Sequence, residues 1–399
     1  MFISEHGENI LITGGKMTKA LQLARLFARA GHKVVLIEAQ KYWASGHAYS
    51  NCVDKFYTLP NSREGSEAYF SGLESIVAKE AIDRYVPVAS PTSVYLDAKW
   101  KSRGEKVYHE LIFDEATLDI IDNKFQLCKK AREIGLSAPD VTLITDIKDF
   151  DTIDFSSSEK KYILKSLTYN PLERLRRPLL PFKEQNEYLS QLDISHEKAW
   201  VLQEFVEGQE FCTHSTVRNG EVLLHCCCPS SDFQLRYKHI VHQDIYRWVT
   251  KFVAALKLTG QISFDFIVRP DGRVMPIECN PRTHSAVTSF YNSDRLPLAY
   301  LGDSNLGAIC SPDPEAKETY WFYHELWQLF TASTLSKLRE QLHIFFYGKE
   351  AILDGEDPLP FLMVYHWHIP ALLLQSFLSG KRWIRIDFNI GKLVEAGGD

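Results

Sequence analysis

Two apolar runs, Ile262–Val268 and Val274–Asn280, flank the segment Arg269-Pro-Asp-Gly-Arg273. An Asp-Gly pair between such runs is a strong signal for an antiparallel hairpin, and a hairpin dictates which side chains stand opposite one another. With Asp271 and Gly272 at the turn centre, opposed residues carry numbers adding to 543, which sets Asp265 against Glu278. Opposed side chains stand about 4.5–5.5 Å apart at Cβ, and like charges there are destabilising. A divalent cation between the carboxylates removes the conflict. Asn280 falls two residues on, hence on the same face, and adds a neutral carbonyl oxygen. Asp265, Glu278 and Asn280 offer only hard oxygen ligands, a set suited to magnesium. The competing reading is a solvent-facing hairpin with coincidental acids, and a bulge would change the register. Arg282 and His284 continue the alternation, which brings a positive group beside the proposed metal, as phosphoryl transfer requires.

Around this hairpin the chain reads as α/β and α+β. Asn9–Thr13, a Gly14-Gly15 turn, a helical apolar stripe from Met17 to Ala30 and a strand at Lys33–Glu38 form a βαβ unit. Gly31 suits the position just past the helix. Another strand is expected at Tyr85–Ala89, although Pro87 counts against its pairing. Residues 1–105 are therefore expected to be an open α/β domain. Asp122-Asn123 can cap a helix over 124–134, the start of a central domain and lid (106–205) that also holds a strand at Lys161–Ser166. Strands between 200 and 228, a helix at Gln243–Leu256 and the hairpin belong to a third domain, taken as 206–310. Residues 311–399 read as a mainly helical, aromatic-rich extension.

Charge narrows the function. With 45 Lys+Arg against 51 Asp+Glu the formal net charge is −6, which excludes a nucleic-acid binder held by bulk positive charge. The exception is local: Lys160–Lys183 holds seven basic residues and one acid, among them Arg174, Arg176 and Arg177, and suggests a segment that meets an anion. Eight cysteines, three of them adjacent at Cys226–Cys228, lack the spacing of a disulfide framework, and the N-terminus lacks a signal-peptide pattern; both point to the cytoplasm. The richest apolar stretch, Phe361–Leu378, is interrupted by His366, His368, Pro370 and Gln375, so no stable membrane insertion is expected.

Several of these residues, in this order, resemble the ATP-grasp superfamily: Lys124 opening the lid domain, Lys165 on a strand, the hinge Gln203-Glu-Phe-Val-Glu-Gly-Gln-Glu210, Asp265, and Glu278-Cys-Asn-Pro-Arg282. The resemblance implies an ATP-grasp fold with a Rossmann-like N-terminal domain, a central lid domain and a C-terminal ATP-grasp domain with a helical extension. It further implies that Lys124 and Lys165 hold ATP phosphates and that Gln203 meets the adenine amino group. The backbone of Glu204, Phe205 and Val206 would face the adenine edge, and Glu210 the ribose hydroxyls. Asp265, Glu278 and Asn280 would bind magnesium, two ions being expected, with manganese able to replace them. Arg174, Arg176 and Arg177 would lie on a mobile segment closing over the triphosphate, although a charge run is more often a solvated face.

A longer resemblance runs through Gly14-Gly-Lys-Met-Thr-Lys19, Gln209–Val217, Leu224–Cys227, Leu258–Ile262, Glu278–Ser285 and Asp387–Glu395. These segments are similar to the mycosporine-glycine synthases, which join glycine to 4-deoxygadusol at the expense of ATP. That resemblance implies a cyanobacterial ligase of mycosporine-like amino acid biosynthesis with small-molecule partners only. Gly14, Gly15 and Lys16, with Arg282 and Thr283, would then face the acceptor substrate. Arg282 would stabilise the transferring phosphoryl group or the bound enolate. His284 would orient substrate or accept an amine proton, a buried structural histidine being the alternative. Oligomeric state is not legible, and a homodimer is allowed.

Rival readings are weaker. The fingerprint of a dinucleotide fold needs a third spaced glycine where Lys19 stands, and no Walker A loop occurs. Cys212, His214, His225 and Cys226–Cys228 are zinc-ligand types, but adjacent strand residues point to opposite faces. No G-x-S-x-G elbow marks a serine hydrolase. A generic carboxylate–amine ligase and a catalytically silent nucleotide- or metabolite-binding module of the same fold stay open.

Overall fold

In the N-terminal unit, β1 (Asn9–Thr13) is the second strand from the edge of a four-stranded parallel sheet. It lies between β2 (Lys33–Ala39) and β4 (Arg84–Val86), with β3 (Lys55–Leu59) outside β2. This computed structural model describes residues 7–60, 66–88, 91–155, 160–167, 178–230 and 235–395. The expected βαβ unit is present, with α1 at Thr18–Arg29. Pro87 ends β4 after three residues, and its pairing with β1 survives because the strand is an edge. Successive residues of β1 feed two different cores. Ile10 and Ile12 pack with α1, whereas Leu11 packs with α2 (Ser66–Glu80) and α3 (Pro91–Ser102). Both faces of a parallel sheet are covered in this way.

Next come α4 (Glu115–Ile121) and α5 (Lys124–Glu133). Of the two expected caps Asn123 acts, its Oδ1 accepting from the Phe125 and Gln126 amides at 3.0 and 3.2 Å. The lid is a three-stranded antiparallel sheet, β5 (Val141–Ile144), β7 (Trp200–Glu204) and β6 (Tyr162–Ser166), with β7 central and α6 (Gln185–Ser190) beside it. Ile144, Leu164, Trp200 and Leu202 form its own small core.

The third unit is an antiparallel sheet in the order β12-β11-β8-β9: Val274–Asn280, Gly260–Val268, Gln209–Arg218 and Glu221–Pro229. One face packs on α7 (Gln243–Leu256) and on α5, through Phe211, Cys227, Phe264, Phe266 and Cys279. The three adjacent cysteines split as strand geometry demands, Cys227 into that core and Cys226 and Cys228 into the other. All eight are free.

β10 (Arg236–Tyr237) opens the link to the C-terminal part, which contains α8 (Leu296–Leu301), β13 (Thr319–Tyr320), α9 (Phe322–Thr331), α10 (Leu335–Tyr347), β14 (Lys349–Glu350), α11 (Leu359–Met363), α12 (Ile369–Leu378) and the pair β15 (Trp383–Asp387) and β16 (Lys392–Glu395). It is bolted to α1 by a buried ion pair, Arg25 Nε to Asp357 Oδ2 at 2.9 Å, whose carboxylate also accepts from Ser50 Oγ at 2.7 Å and the Asn51 amide at 2.9 Å. Such satisfaction is what a buried pair requires.

The apolar stretch near the C-terminus departs from expectation. His366, His368 and Pro370 do not break it, because α11 and α12 join through a π-helical turn, Val364–His368, into one helix from Leu359 to Leu378. Proline has no N–H and crowds the carbonyl four residues back; the wider π turn just before Pro370 absorbs both effects. His366 is exposed on this helix and His368 is buried.

Candidate active site

The hairpin reaches the predicted pairing by a different route. Its turn is not the two-residue loop expected: Arg269 N–H donates to Arg273 O at 3.0 Å and Gly272 N–H to Arg269 O at 2.9 Å, with Gly272 at φ +83°. This is a three-residue loop with a left-handed glycine, and it shifts the register by one, so that Phe266 faces Pro276. A bulge at Ile277 shifts it back, and Asp265 does stand opposite Glu278, with Ser263 opposite Asn280. The two irregularities cancel.

Asp265, Glu278 and Asn280 therefore share one face of the sheet. Asp265 is nearly buried, and its Oδ2 accepts from Asn280 Nδ2 at 3.4 Å. Lys124, the first residue of α5, reaches over this group, its Nζ 4.0 Å from Glu278 Oε1. Among the described residues no cluster of three His, Cys, Asp or Glu could hold a metal. The donor set is two opposed carboxylates and an amide, which fits a hard cation such as magnesium.

On the lid, Lys165 pairs with Val201 and Ile163 with Gln203, so Lys165 and Gln203 lie on the sheet face away from the lid core. Both are buried. Gln203 Nε2 contacts Cys128 Sγ of α5 at 3.9 Å, while its Oε1 has no hydrogen-bond partner among the described residues. A buried acceptor left open suits an exocyclic amino group. The hinge backbone is already partly used: the Glu204 amide donates to Asp140 O and the Phe205 amide to Lys161 O, each at 2.7 Å. Of the three hinge amides expected at the adenine edge, those of Glu204 and Phe205 are thus taken within the protein. The Glu204 carboxylate is engaged with Arg269 at 3.2 Å and Lys160 at 3.7 Å, which ties the lid hinge to the hairpin loop. Glu210 is exposed, at the start of β8. Arg174, Arg176 and Arg177 lie outside the described residues.

Beyond β12 the chain turns, with Arg282 N–H donating to Asn280 O at 2.8 Å. His284 caps the next helical turn: its Nδ1 accepts from the Ala286 amide at 3.2 Å, which places the ring proton on Nε2. Burial, then the charges of Lys19 and Arg282, push its pKa down to about 3, so the ring is neutral and presents a donor. That arrangement supports orienting a substrate better than taking up a proton.

Sequence reasoning misses Lys19. This α1 side chain is buried, and its Nζ donates to Thr283 O at 2.6 Å. Burial first, then Arg282 and Lys16, hold its pKa well below the usual lysine range. Thr283 Oγ1 also meets Tyr300 OH at 3.2 Å, and Tyr300 OH meets His214 Nε2 at 2.8 Å. The available signal is a second lysine three residues after Lys16 in the first turn of α1, but periodicity does not reveal that the helix is buried nearly all round.

The Gly14–Lys16 turn is closely packed. Gly14 is left-handed at φ +71°, and a Cβ on Gly15 would stand 2.8 Å from the Phe56 ring. Lys16 Nζ bonds Glu38 Oε1 at 3.2 Å and lies over the Tyr42 ring. The Thr18 amide at the start of α1 donates to Asn389 O at 2.8 Å, so the C-terminal turn closes this helix end.

No family model matches the chain, and no curated protein matches it in sequence. Solved structures do match. N5-carboxyaminoimidazole synthetase from Staphylococcus aureus, complexed with ADP, has a TM-score of 0.58 at 14% identity over 80% of this chain and 82% of that one. L-amino acid ligase from Bacillus licheniformis gives 0.56 at 16% identity over 77% and 76%. Phosphoribosylglycinamide synthetase from Anaerococcus prevotii gives 0.55 at 14% over 78% and 80%. The fold is that of the ATP-grasp enzymes: a Rossmann-like domain, a small lid sheet and a larger antiparallel sheet.

Proposed function

We propose that the chain is an ATP-dependent, ADP-forming ligase that makes a C–N bond. The observation that carries this is the opposed Asp265–Glu278 pair with Asn280 beside it and Lys124 above it, facing a lid that carries Lys165 and the open acceptor of Gln203. ATP lies between lid and sheet, its adenine at Gln203 and Val206, its ribose towards Glu210 and its phosphates at Lys124 and Lys165, with Arg174, Arg176 and Arg177 closing over them. Magnesium, when bound at Asp265, Glu278 and Asn280, neutralises charge on the phosphate oxygens. Arg282 stabilises the phosphoryl group in flight, and the Nε2–H of His284 orients the acceptor.

The substrates are 4-deoxygadusol and glycine, the pair that the sequence resemblance implies. The β-diketone enol of 4-deoxygadusol is electronically a carboxylate with a carbon–carbon double bond inserted. Its enol oxygen attacks the γ-phosphorus and ADP leaves. The glycine amine then adds to the phosphorylated carbon, loses a proton and expels phosphate, giving the enaminone. The second reading, a carboxylate–amine ligase acting through an acyl phosphate, is favoured by the likeness to the L-amino acid ligase. The test is magnesium-dependent ADP release with 4-deoxygadusol and glycine, followed by the ultraviolet absorbance of the enaminone. Silence with that pair but turnover with a carboxylate and an amine would select the second reading.

A further inference from the structure

We propose that the helix Leu359–Leu378 and the turn after it lie on the surface of an anionic lipid bilayer. The outward stripe of this helix is Leu359, Leu362, His366, Pro370, Leu374 and Phe377, spaced at three or four residues around the π turn. A surface helix ordinarily shows water its polar residues along such a stripe. Here Leu374, Phe377 and Leu378 are 59, 82 and 75% exposed. The helix is long and apolar enough to cross a membrane, yet only 28% of its most apolar window is buried in the protein, unlike a core helix. Its inner side, Val364, Tyr365 and Ile369, is part of the main core, so the fold holds it flat against the body and a crossing is prevented.

The surroundings extend the same surface. Trp383 and Ile384 are exposed directly after it, next to exposed Lys381 and Arg382. Trp43 packs edge-on against Trp367 at 6.2 Å, and with Leu374 and Leu378 they wall an apolar groove of about 710 Å³, open to an acyl chain. Apolar side chains bordered by tryptophan and basic residues are the pattern of interfacial helices.

Charge chooses between lipid and a second copy of the chain. From Pro358 to Ile386 there is no Asp or Glu, although the protein as a whole is net acidic. A two-fold contact through this patch would set a stretch with basic residues and no acid against itself. An anionic bilayer supplies an apolar layer and negative headgroups together.

The test is cosedimentation of the full chain with phosphatidylcholine vesicles, with and without about 30% phosphatidylglycerol. Binding is expected to the anionic vesicles only and to weaken with salt. Phe377→Ser with Leu378→Ser should lower it about tenfold or more, and Lys381→Glu with Arg382→Glu should remove it, both at unchanged thermal midpoint. Absence of binding, equal binding to neutral vesicles, or unchanged binding by the serine variant overturns the proposal. So does a concentration-dependent dimer, seen in sedimentation without vesicle binding and lost in the serine variant, since a second copy would then cover the face.

Discussion

Replacing Glu278 by Gln tests the carboxylate pair with little change of shape. In the metal-free protein the pairs with Asp265 and with Lys124 oppose each other. Repulsion from Asp265 across the ladder, at about 5 Å and an effective dielectric constant near 20, is about 3 kcal/mol. Attraction to Lys124 at 4.0 Å is about 4 kcal/mol on the same footing. Both are reduced alike by partial solvation, so these two pairs together change stability by no more than about 1 kcal/mol, a few degrees in Tm at most. Loss of a ligand is not compensated. Wild-type protein at a hundredfold excess of Mg·ADP over its Kd gains about 2.7 kcal/mol, whereas a variant with hundredfold weaker binding gains about 0.4 kcal/mol at the same concentration. The assay is the thermal midpoint with and without Mg·ADP, alongside ADP release. A Glu278→Gln protein that keeps the full Mg·ADP shift, or turns over at the wild-type rate, would refute the metal assignment.

Three other positions give equally direct tests. Lys19→Met removes the donor to Thr283 O, and kcat/KM for the acceptor should fall about tenfold to a hundredfold while the Mg·ADP thermal shift is kept; loss of that shift would make the residue structural instead. Asp97 is buried, accepts from Tyr85 OH at 2.6 Å, and has its pKa raised by burial to about 7. The unfolded chain releases this proton first, so stability is full below about pH 4 and is lost by up to about 4 kcal/mol as pH rises through 7; Asp97→Asn should flatten this part of the Tm–pH curve. Gly391 is left-handed at φ +59°, and a Cβ there would lie 2.3 Å from Lys16 O, so Gly391→Ala should cost about 1–3 kcal/mol or more, read in Tm; an unshifted midpoint would show that the C-terminal turn does not press on Lys16.

The parts of the fold that can be read from sequence are those in which one local signal decides. β1 and α7 have the expected bounds because apolar spacing and flanking residues agree. The Asp265–Glu278 pairing is expected from a turn type that the molecule does not use, and it holds only because the Ile277 bulge undoes the shift made by the Pro270–Gly272 loop. Nothing in the alternation of β12 announces that bulge. Lys19 is invisible for another reason: its burial comes from the 283–284 loop and the C-terminal part, hundreds of residues away in sequence. The Leu359–Leu378 helix is hidden because proline and two histidines look like breaks until a π turn accommodates them.

That same C-terminal part bears on the substrate role proposed for the Gly14–Lys16 turn. A glycine turn opening a helix is ordinarily an anion site, since its amides and the helix dipole point outwards. In this chain the Thr18 amide is taken by Asn389 O, Ser285 Oγ donates to Asn389 Oδ1 at 2.8 Å, and the Lys16 ammonium is spent on Glu38. Lys19, beside the Thr283 carbonyl, and Arg282 are the other basic side chains here, and burial holds the Lys19 pKa well below the usual lysine range. The neutral His284 ring adds an Nε2–H donor beside them. The extension thus closes one end of α1, and under the proposed function the acceptor would be held instead by the residues just beyond Asn280, next to the proposed metal ligands, where a phosphoryl group would have to reach it.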